Sequence, residues 1–487
     1  MPTSIPVIQA KRRSEPPPSA QKPQGNLAPA DLRAMAEELV NYHALFSDLF
    51  VRSEQRHWSQ FYLRGQLSRL ERKSIEPMVL ASKGADYAAV RAVQQFLSEG
   101  AWSDELILER HHEHVAVDLG EPDGALIVDG SGFPKQGTHS VGVARQYCGH
   151  LGKIANCQHG VFAAYSSSKG YTFVDRRLYM PQSWFDTEHA ALRARYGVPA
   201  DLVFTTEPTL ALEMVRSLAE RAVLPFAWVL GDETYGADPK FLDGVEALGK
   251  RYFVEVPVST RAWVGAVELE APGKLPMGRP RTHPRAVAGT PKAQELRLIA
   301  EQLPPSAWQR YRLAESSKGS RLAEFAFVRV QRSVRHGRPA AEAWAVFRRD
   351  RDAKEQKIFL TNAPEDCSGE ELARQSIRRW PIETAFEEAK SELGMDHYEV
   401  RTWRGWHHQM TQTFLAHHFL VRMRLRYKKS FGADAPASKA ASVARAASRG
   451  VDAGAGLSDR CLSAAAQLCR ISLTCQDNGR QAQEPSP

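Results

Sequence analysis

The chain has 487 residues, of which 43% are hydrophobic, 25% charged and 9% aromatic. That balance excludes a disordered polymer, a collagen and a minimal disulfide module, and it leaves room for roughly two to four domains with real cores. Its 64 Lys+Arg against 56 Asp+Glu give a formal net charge of +8, which permits a polyanion partner without proving one.

No run of about 18 apolar residues occurs, so no membrane partner is expected. The opening stretch MPTSIPVIQAKRRSEPPPSAQKPQGN lacks the apolar segment of a secretory signal. Cys148, Cys157, Cys367, Cys461, Cys469 and Cys475 form no C-x-x-C pair. They read as free thiols of a reducing compartment, so a cytoplasmic protein is expected.

Residues 1–29 are rich in Pro, Ser, Gln and Lys and read as a disordered arm. Residues 30–120 are patterned as helices, beginning with DLRAMAEELVNYHALFSDLF, and predict an all-α domain. One helical stretch there interleaves Arg64, Arg72 and Lys73 with Trp58, Phe61 and Tyr62. It reads as a DNA-contacting face, with a solvated charged face as the alternative.

The period then switches to that of strands. ALIVDGSG (125–132) is an apolar run ending in an acid and glycines, and NCQHGVFAAY and YTFVDRRLYM flank SSSKG as a hairpin. Helical patterns return near 187–196 and 208–222. FAWVLGDETYG, PKFLDGVEALGK and RYFVEVPV then predict strand, helix and strand, so that 121–258 describes a mixed α/β sheet. Residues 259–353 read as a basic insertion, partly β; its 259–340 portion holds 15 Lys+Arg against 6 Asp+Glu. Arg329, Arg332, Arg335 and Arg338 are its expected phosphate contacts. Residues 354–429 continue with a strand, KIFLTNA, and a long helical region, and 430–487 predict a weakly ordered tail.

Three acids stand out by position. Asp129 and Asp232 each close an apolar strand, and Glu383 begins the helix PIETAFEEAKSELG. Such oxygens can hold two divalent ions roughly 3.5–4 Å apart for in-line attack on a phosphodiester. Mg²⁺ suits hard carboxylates, with Mn²⁺ as a substitute. A strand-end aspartate also serves simply to cap a turn, and Asp118, Asp123, Glu233 and Glu387 are nearby rivals. Asp175 is expected to face solvent, and His111, His112 and His114 are expected at the surface.

IVDGSGFPKQGTHSVGVARQYCGHLGKIANCQHGV, VLGDETYG and RRWPIETAFEEAKSELGMDHYEVRTWRGWHHQM occur in that order. They resemble the three catalytic blocks of the IS701-type transposases, part of the DDE superfamily. The third block carries R-x3-E-x6-K as Arg379, Glu383 and Lys390, similar to the signature of the related IS4 group. Where that family often reads Asp-Asp-Thr, this chain has Asp129-Gly130-Ser131.

The resemblance implies an RNase H-like core in which Asp129, Asp232 and Glu383 ligate two Mg²⁺ ions. Arg379 and Lys390 would contact the DNA backbone, and the basic stretch would be the insertion between the second Asp and the Glu. It implies a cut-and-paste transposase that acts as a homodimer on double-stranded DNA, at terminal inverted repeats and target. The alternatives are a non-catalytic DNA-binding descendant acting as a repressor, or a nuclease without strand transfer.

Overall fold

The computed structural model describes residues 29–273, 282–316, 319–334, 337–350 and 356–426. The expected arm up to residue 28, Arg335 and the expected tail 430–487 therefore lie outside the described residues.

Helices come first, as the spacing of apolar residues predicts: α1 (Pro29–Ala44), α2 (Ser53–Leu67), α3 (Ile75–Lys83), α4 (Tyr87–Ser98) and α5 (Asp104–Leu119). Side-chain caps set two of the starts. Asp86 accepts from the Ala89 N–H at 2.9 Å before α4, and Ser103 accepts from Leu106 N–H at 3.2 Å before α5.

The chain then alternates strands and helices. It forms β1 (Ala125–Pro134), β2 (Ala144–Cys148), β3 (Lys153–Ser167), β4 (Gly170–Tyr179), α6 (Ala190–Arg195), α7 (Glu207–Arg221), β5 (Trp228–Gly231), α8 (Glu233–Gly236), α9 (Pro239–Ala247) and β6 (Arg251–Glu255). β7 (Arg261–Val264), β8 (Leu269–Glu270), β9 (Arg285–Ala286), β10 (Gln294–Glu295), α10 (Leu296–Glu301), β11 (Gln309–Ser316), β12 (Gly319–Val334) and β13 (Arg338–Asp350) follow. The described chain closes with β14 (Lys357–Thr361), α11 (Gly369–Gln375), α12 (Trp380–Leu393) and α13 (Trp403–Arg426).

Among the described residues one mixed sheet runs β10-β7-β12-β13-β14-β6-β5-β1-β3-β2, with β4 joined to β3 and β11 to β12. β1, β5 and β6 are mutually parallel, while β3 runs antiparallel to β1 and β14 antiparallel to β6. The basic stretch is more ordered than its composition suggests, because β12 and β13 form a long antiparallel ladder that extends the same sheet through β14.

The helices and the sheet share one core through α13, which is buried almost all round, as Trp406, Met410, Phe414 and Phe419 show together with Gln409, Thr413, His417 and His418. A helix buried on every side has to satisfy its polar groups internally. Tyr62 donates its hydroxyl to Gln409 at 2.5 Å and Gln66 donates to Thr413 at 2.8 Å. Two surface expectations are corrected here. His111 and His112 are buried, their Nε2 atoms bonded to the carbonyl oxygens of Phe173 and Val174 on β4 at 2.9 and 2.7 Å. Asp175 is buried and paired with Arg177 at 2.7 Å.

Candidate active site

The register of β1 against β5 builds the first half of the site. Ala125 faces Trp228, Leu126 faces Val229 and Ile127 faces Leu230 in a parallel pair. Continuing that offset brings Asp232, the residue after β5, level with Asp129, on chains about 4.8 Å apart. Residues 125, 127 and 129 alternate to one face of β1, so the shared level puts both carboxylates in one neighbourhood. Asp232 also caps α8, accepting from the Thr234 N–H at 2.9 Å.

Glu383 arrives from α12, which packs on β1 and β4. Arg379, at the cap of this helix, joins the halves: Nη1 donates to Asp129 Oδ2 at 3.1 Å and Nη2 to Glu383 Oε1 at 2.5 Å. α12 ends at Gly394 in the left-handed region (φ +65°), where an added Cβ would stand 2.7 Å from Lys73 Cβ.

The electrostatics show how tightly the acids are gathered. Burial, then the charge of Asp232, pushes the Asp129 carboxyl up to about 7, against the opposing pull of Arg379. Burial raises Asp232 too, and Arg379 again pulls it back. Of the rivals, Glu233 and Glu387 are exposed, and Asp118 pairs with His418 at 3.1 Å.

Three further groups border the cluster without having been singled out in the sequence. Tyr235 is buried, its hydroxyl without a hydrogen-bond partner among the described residues, and the charges of Asp129, Glu207 and Asp232 add to the burial that holds it well above its usual range. His159 Nε2 pairs with Glu207 Oε2 at 3.1 Å beside β1. A Cβ on Gly130 would lie 2.4 Å from His159 Nε2, so that pair and a side chain at 130 exclude each other. His159 was visible in the first block, but Glu207 was hidden as an ordinary helix start.

The basic residues singled out in the sequence divide by environment. Lys390, its ammonium lowered by burial, donates to the Gly132 carbonyl at 3.3 Å, close to β1. Lys73 is buried and donates to the carbonyls of Gln66 at 2.6 Å and of Glu392 in the last turn of α12. It clamps a helix end and has no free face for phosphate. Arg332 is likewise buried, bonded to Asp243 at 2.9 Å and Glu246 at 3.3 Å on α9. Arg72 is exposed and paired with Glu399 at 2.5 Å. Arg329 pairs with Glu342 at 3.3 Å, and Arg64 and Arg338 are half-buried. Arg72, Lys73, Arg329 and Arg332 thus bond to partners away from the three carboxylates.

Comparison with known proteins adds an independent line. A model of the family described as DDE superfamily endonuclease matches residues 45–320, which takes in Asp129 and Asp232 and ends before Glu383. The probable transposase for insertion sequence element IS701 from Microchaete diplosiphon is 28% identical over 221 residues, 44% of this chain and 51% of that protein. The chain thus spans about half the length of this curated relative. A cryo-EM structure of the piggyBac transposase synaptic complex with hairpin DNA aligns over 90% of this chain and 84% of that one, at 9% identity and a TM-score of 0.35. That likeness is too loose to carry an argument.

Proposed function

The chain belongs to the DDE superfamily of endonucleases, and from that premise we propose that it is a metal-dependent DNA transposase that cuts element ends and joins the freed 3′-hydroxyl to target DNA. The observation that carries this reading is the meeting of Asp129, Asp232 and Glu383, from three separate elements, around Arg379, two through ion pairs and the third through its charge. Desolvated acids gathered in this way are characteristic of functional sites.

The donor set suits a divalent cation. Its oxygens are hard carboxylates, the preferred ligands of Mg²⁺ and Mn²⁺. Burial raises two of them, the charge of Asp232 adds to the rise at Asp129, and the charges of both act on the unpartnered Tyr235 hydroxyl. Among the described residues no three His, Cys, Asp or Glu side chains stand close enough to ligate one ion as they are. Arg379 therefore has to release a carboxylate before Asp129, Asp232 and Glu383 can close on one. When bound, the cation supplies Lewis-acid stabilisation of charge on the phosphate under attack.

The chain's own residues do the rest. Asp129 must shed the proton that its raised carboxyl keeps before it can bind a cation, so cation affinity should weaken as pH falls below about 7. A guanidinium released from a carboxylate is suited to grip a phosphate through paired N–H donors, and Arg379 stands at the right place to do so. Lys390 brings a second cation next to β1. The reading takes β1, β3, β5, β6 and α12 as an RNase H-like core, supported by the antiparallel β1–β3 and parallel β1–β5 pairings. It also takes a homodimer bridging two DNA ends, in the bacterial cytoplasm, with Arg72, Arg329 and Arg338 as DNA-contact candidates.

The test is a set of isosteric changes. Asp129→Asn, Asp232→Asn and Glu383→Gln should each abolish Mg²⁺-dependent nicking of a duplex carrying an element end while leaving DNA binding intact. A variant that still nicked at the wild-type rate would remove that residue from the site. Binding without nicking by the wild-type chain would instead favour a repressor-like descendant.

A further inference from the structure

β2 and the first residues of β3 form a two-stranded ribbon at the end of the sheet, where β2 pairs with β3 alone among the described residues. Its inner face is fixed. Cys148 and Cys157 are fully buried, and a Cβ on Gly132 would stand 2.8 Å from Cys148 Sγ, so the ribbon is seated on β1 three residues past Asp129. At about 3.3 Å per residue, that seat lies roughly 10 Å along the strand from Asp129. Asn156 secures the root by donating to the carbonyls of Lys135 at 2.8 Å and Gly137 at 2.7 Å.

The outer face is open. Side chains alternate across a strand, so with Cys148 turned inward, Arg145 and Tyr147 belong to the other face. Tyr147 stands directly opposite Ile154, and the two are 64% and 61% exposed. Leu151, in the connecting turn, is exposed as well. Single apolar side chains in water need no explanation, but a cross-strand pair with a third beside it makes a patch. Arg145 on β2 and Lys153 on β3 are exposed beside it, and neither has an ion-pair partner among the described residues. The sequence supplies no local acid either, since no Asp or Glu occurs between Asp129 and Asp175. A narrow ribbon that is apolar along its middle and cationic at its flanks matches a nucleic-acid duplex. The major groove admits a two-stranded ribbon and offers apolar contacts such as thymine methyl groups, while phosphates line its rims.

We propose that the β2–β3 ribbon lies in the major groove of the duplex beside the cut, with Arg145 and Lys153 on the flanking phosphates and Tyr147 and Ile154 against base edges. The proposal rests on the reading of the three carboxylates as a DNA-cleaving centre. The seat of the ribbon on β1 then puts the contact within one helical turn, about 34 Å, of the phosphate under attack.

The test uses the full chain carrying Asp129→Asn as the parent, with a duplex that carries an element end. Affinity is measured against salt concentration for the parent and for the same chain with Arg145→Gln/Lys153→Gln or Tyr147→Thr/Ile154→Thr, all at exposed positions. The glutamine pair should make the log–log slope shallower by about 1.8, the release expected from two phosphate contacts. The threonine pair should keep the slope and weaken binding at least about tenfold. Lysine acetylation of wild-type protein gives a reading without any substitution, since the duplex should protect Lys153. An unchanged slope together with an unprotected Lys153 overturns the proposal. So does a threonine pair that turns a dimeric DNA-free chain into a monomer without changing its affinity for DNA, because the patch would then be a contact between two copies. The carboxylate reading fails on nicking by the Asp129→Asn parent and this one on binding, so the two failures are told apart.

Discussion

Burial and the facing Asp232 lift the Asp129 carboxyl from 3.8 to about 7, and the shift fixes how stability follows pH. The folded chain keeps this proton until about pH 7, while the unfolded chain loses it near pH 4. Between those values the native state binds more protons than the unfolded one. This group's contribution to stability therefore falls as pH rises through that window and stays low above it. Asp129→Asn removes the titration. Relative to wild type, the variant should gain stability as pH rises from about 4 to about 7 and keep that gain at about pH 8, by something on the order of 2–4 kcal/mol, the pull of Arg379 being already contained in the shift. Thermal melts across that range check it, and a gap that stayed constant with pH would mean that Asp129 titrates as an ordinary aspartate. Millimolar Mg²⁺ at the upper pH should raise the wild-type melting temperature and leave the variant unmoved, because a ligand that binds only the folded form stabilises it.

At the scale of the element, the placement of Glu383 depends on how α12 is held. Glu388, further along the same helix and buried, accepts from the Tyr171 hydroxyl at 2.7 Å, from Arg424 at 3.1 Å and from His417 at 3.2 Å. Burial alone would raise its carboxyl, but His417 and Arg424 outweigh that and hold it below the usual range. Glu388→Ala leaves the Arg424 charge in a buried setting without its carboxylate and should cost on the order of 3–5 kcal/mol. Glu388→Gln keeps a partner for Tyr171 and should cost less. Urea unfolding midpoints read both, and an alanine variant as stable as wild type would show that α12 is anchored by its apolar face alone. Elements such as β5, β6, β14 and the β3–β4 hairpin were legible in the sequence because apolar runs bounded by turn residues make strands. Asp129 and Asp232 were legible as acids behind apolar runs, but β1 does not close at Asp129 and continues against β3 to Pro134; their common level is a property of parallel register, which no local pattern displays. His111 and His112 lie in a polar run, yet the helix turns them onto the carbonyls of β4. Arg332 sits in a basic stretch, but its acidic partners are on α9, far back in the chain.

On the scale of the whole molecule, α13 ties the helical region to the sheet. It packs against α1, α2, α4 and α5 on one side and against β4 and α12 on another. Tyr62 and Gln66 bond to Gln409 and Thr413, His408 stacks on Trp102 at 3.6 Å, and Tyr42 and Asp118 both reach His418. Removing α13 would expose Tyr42 and Trp102 to water along with the polar atoms it satisfies. At about 25 cal/mol per Å² that apolar area outweighs the stability a small helical array has to spare. A fragment of residues 30–120 is therefore expected to be unfolded alone, with the dispersed amide spectrum of a native domain absent. Adding residues 403–426 as a separate peptide, or joining them by a linker, should restore helicity and a cooperative melt. A fragment that folded without α13 would make the helical region an independent domain able to approach DNA separately. If it folds only with α13, any movement of that region on DNA is carried through α13 to α12, and so to the helix that holds Glu383.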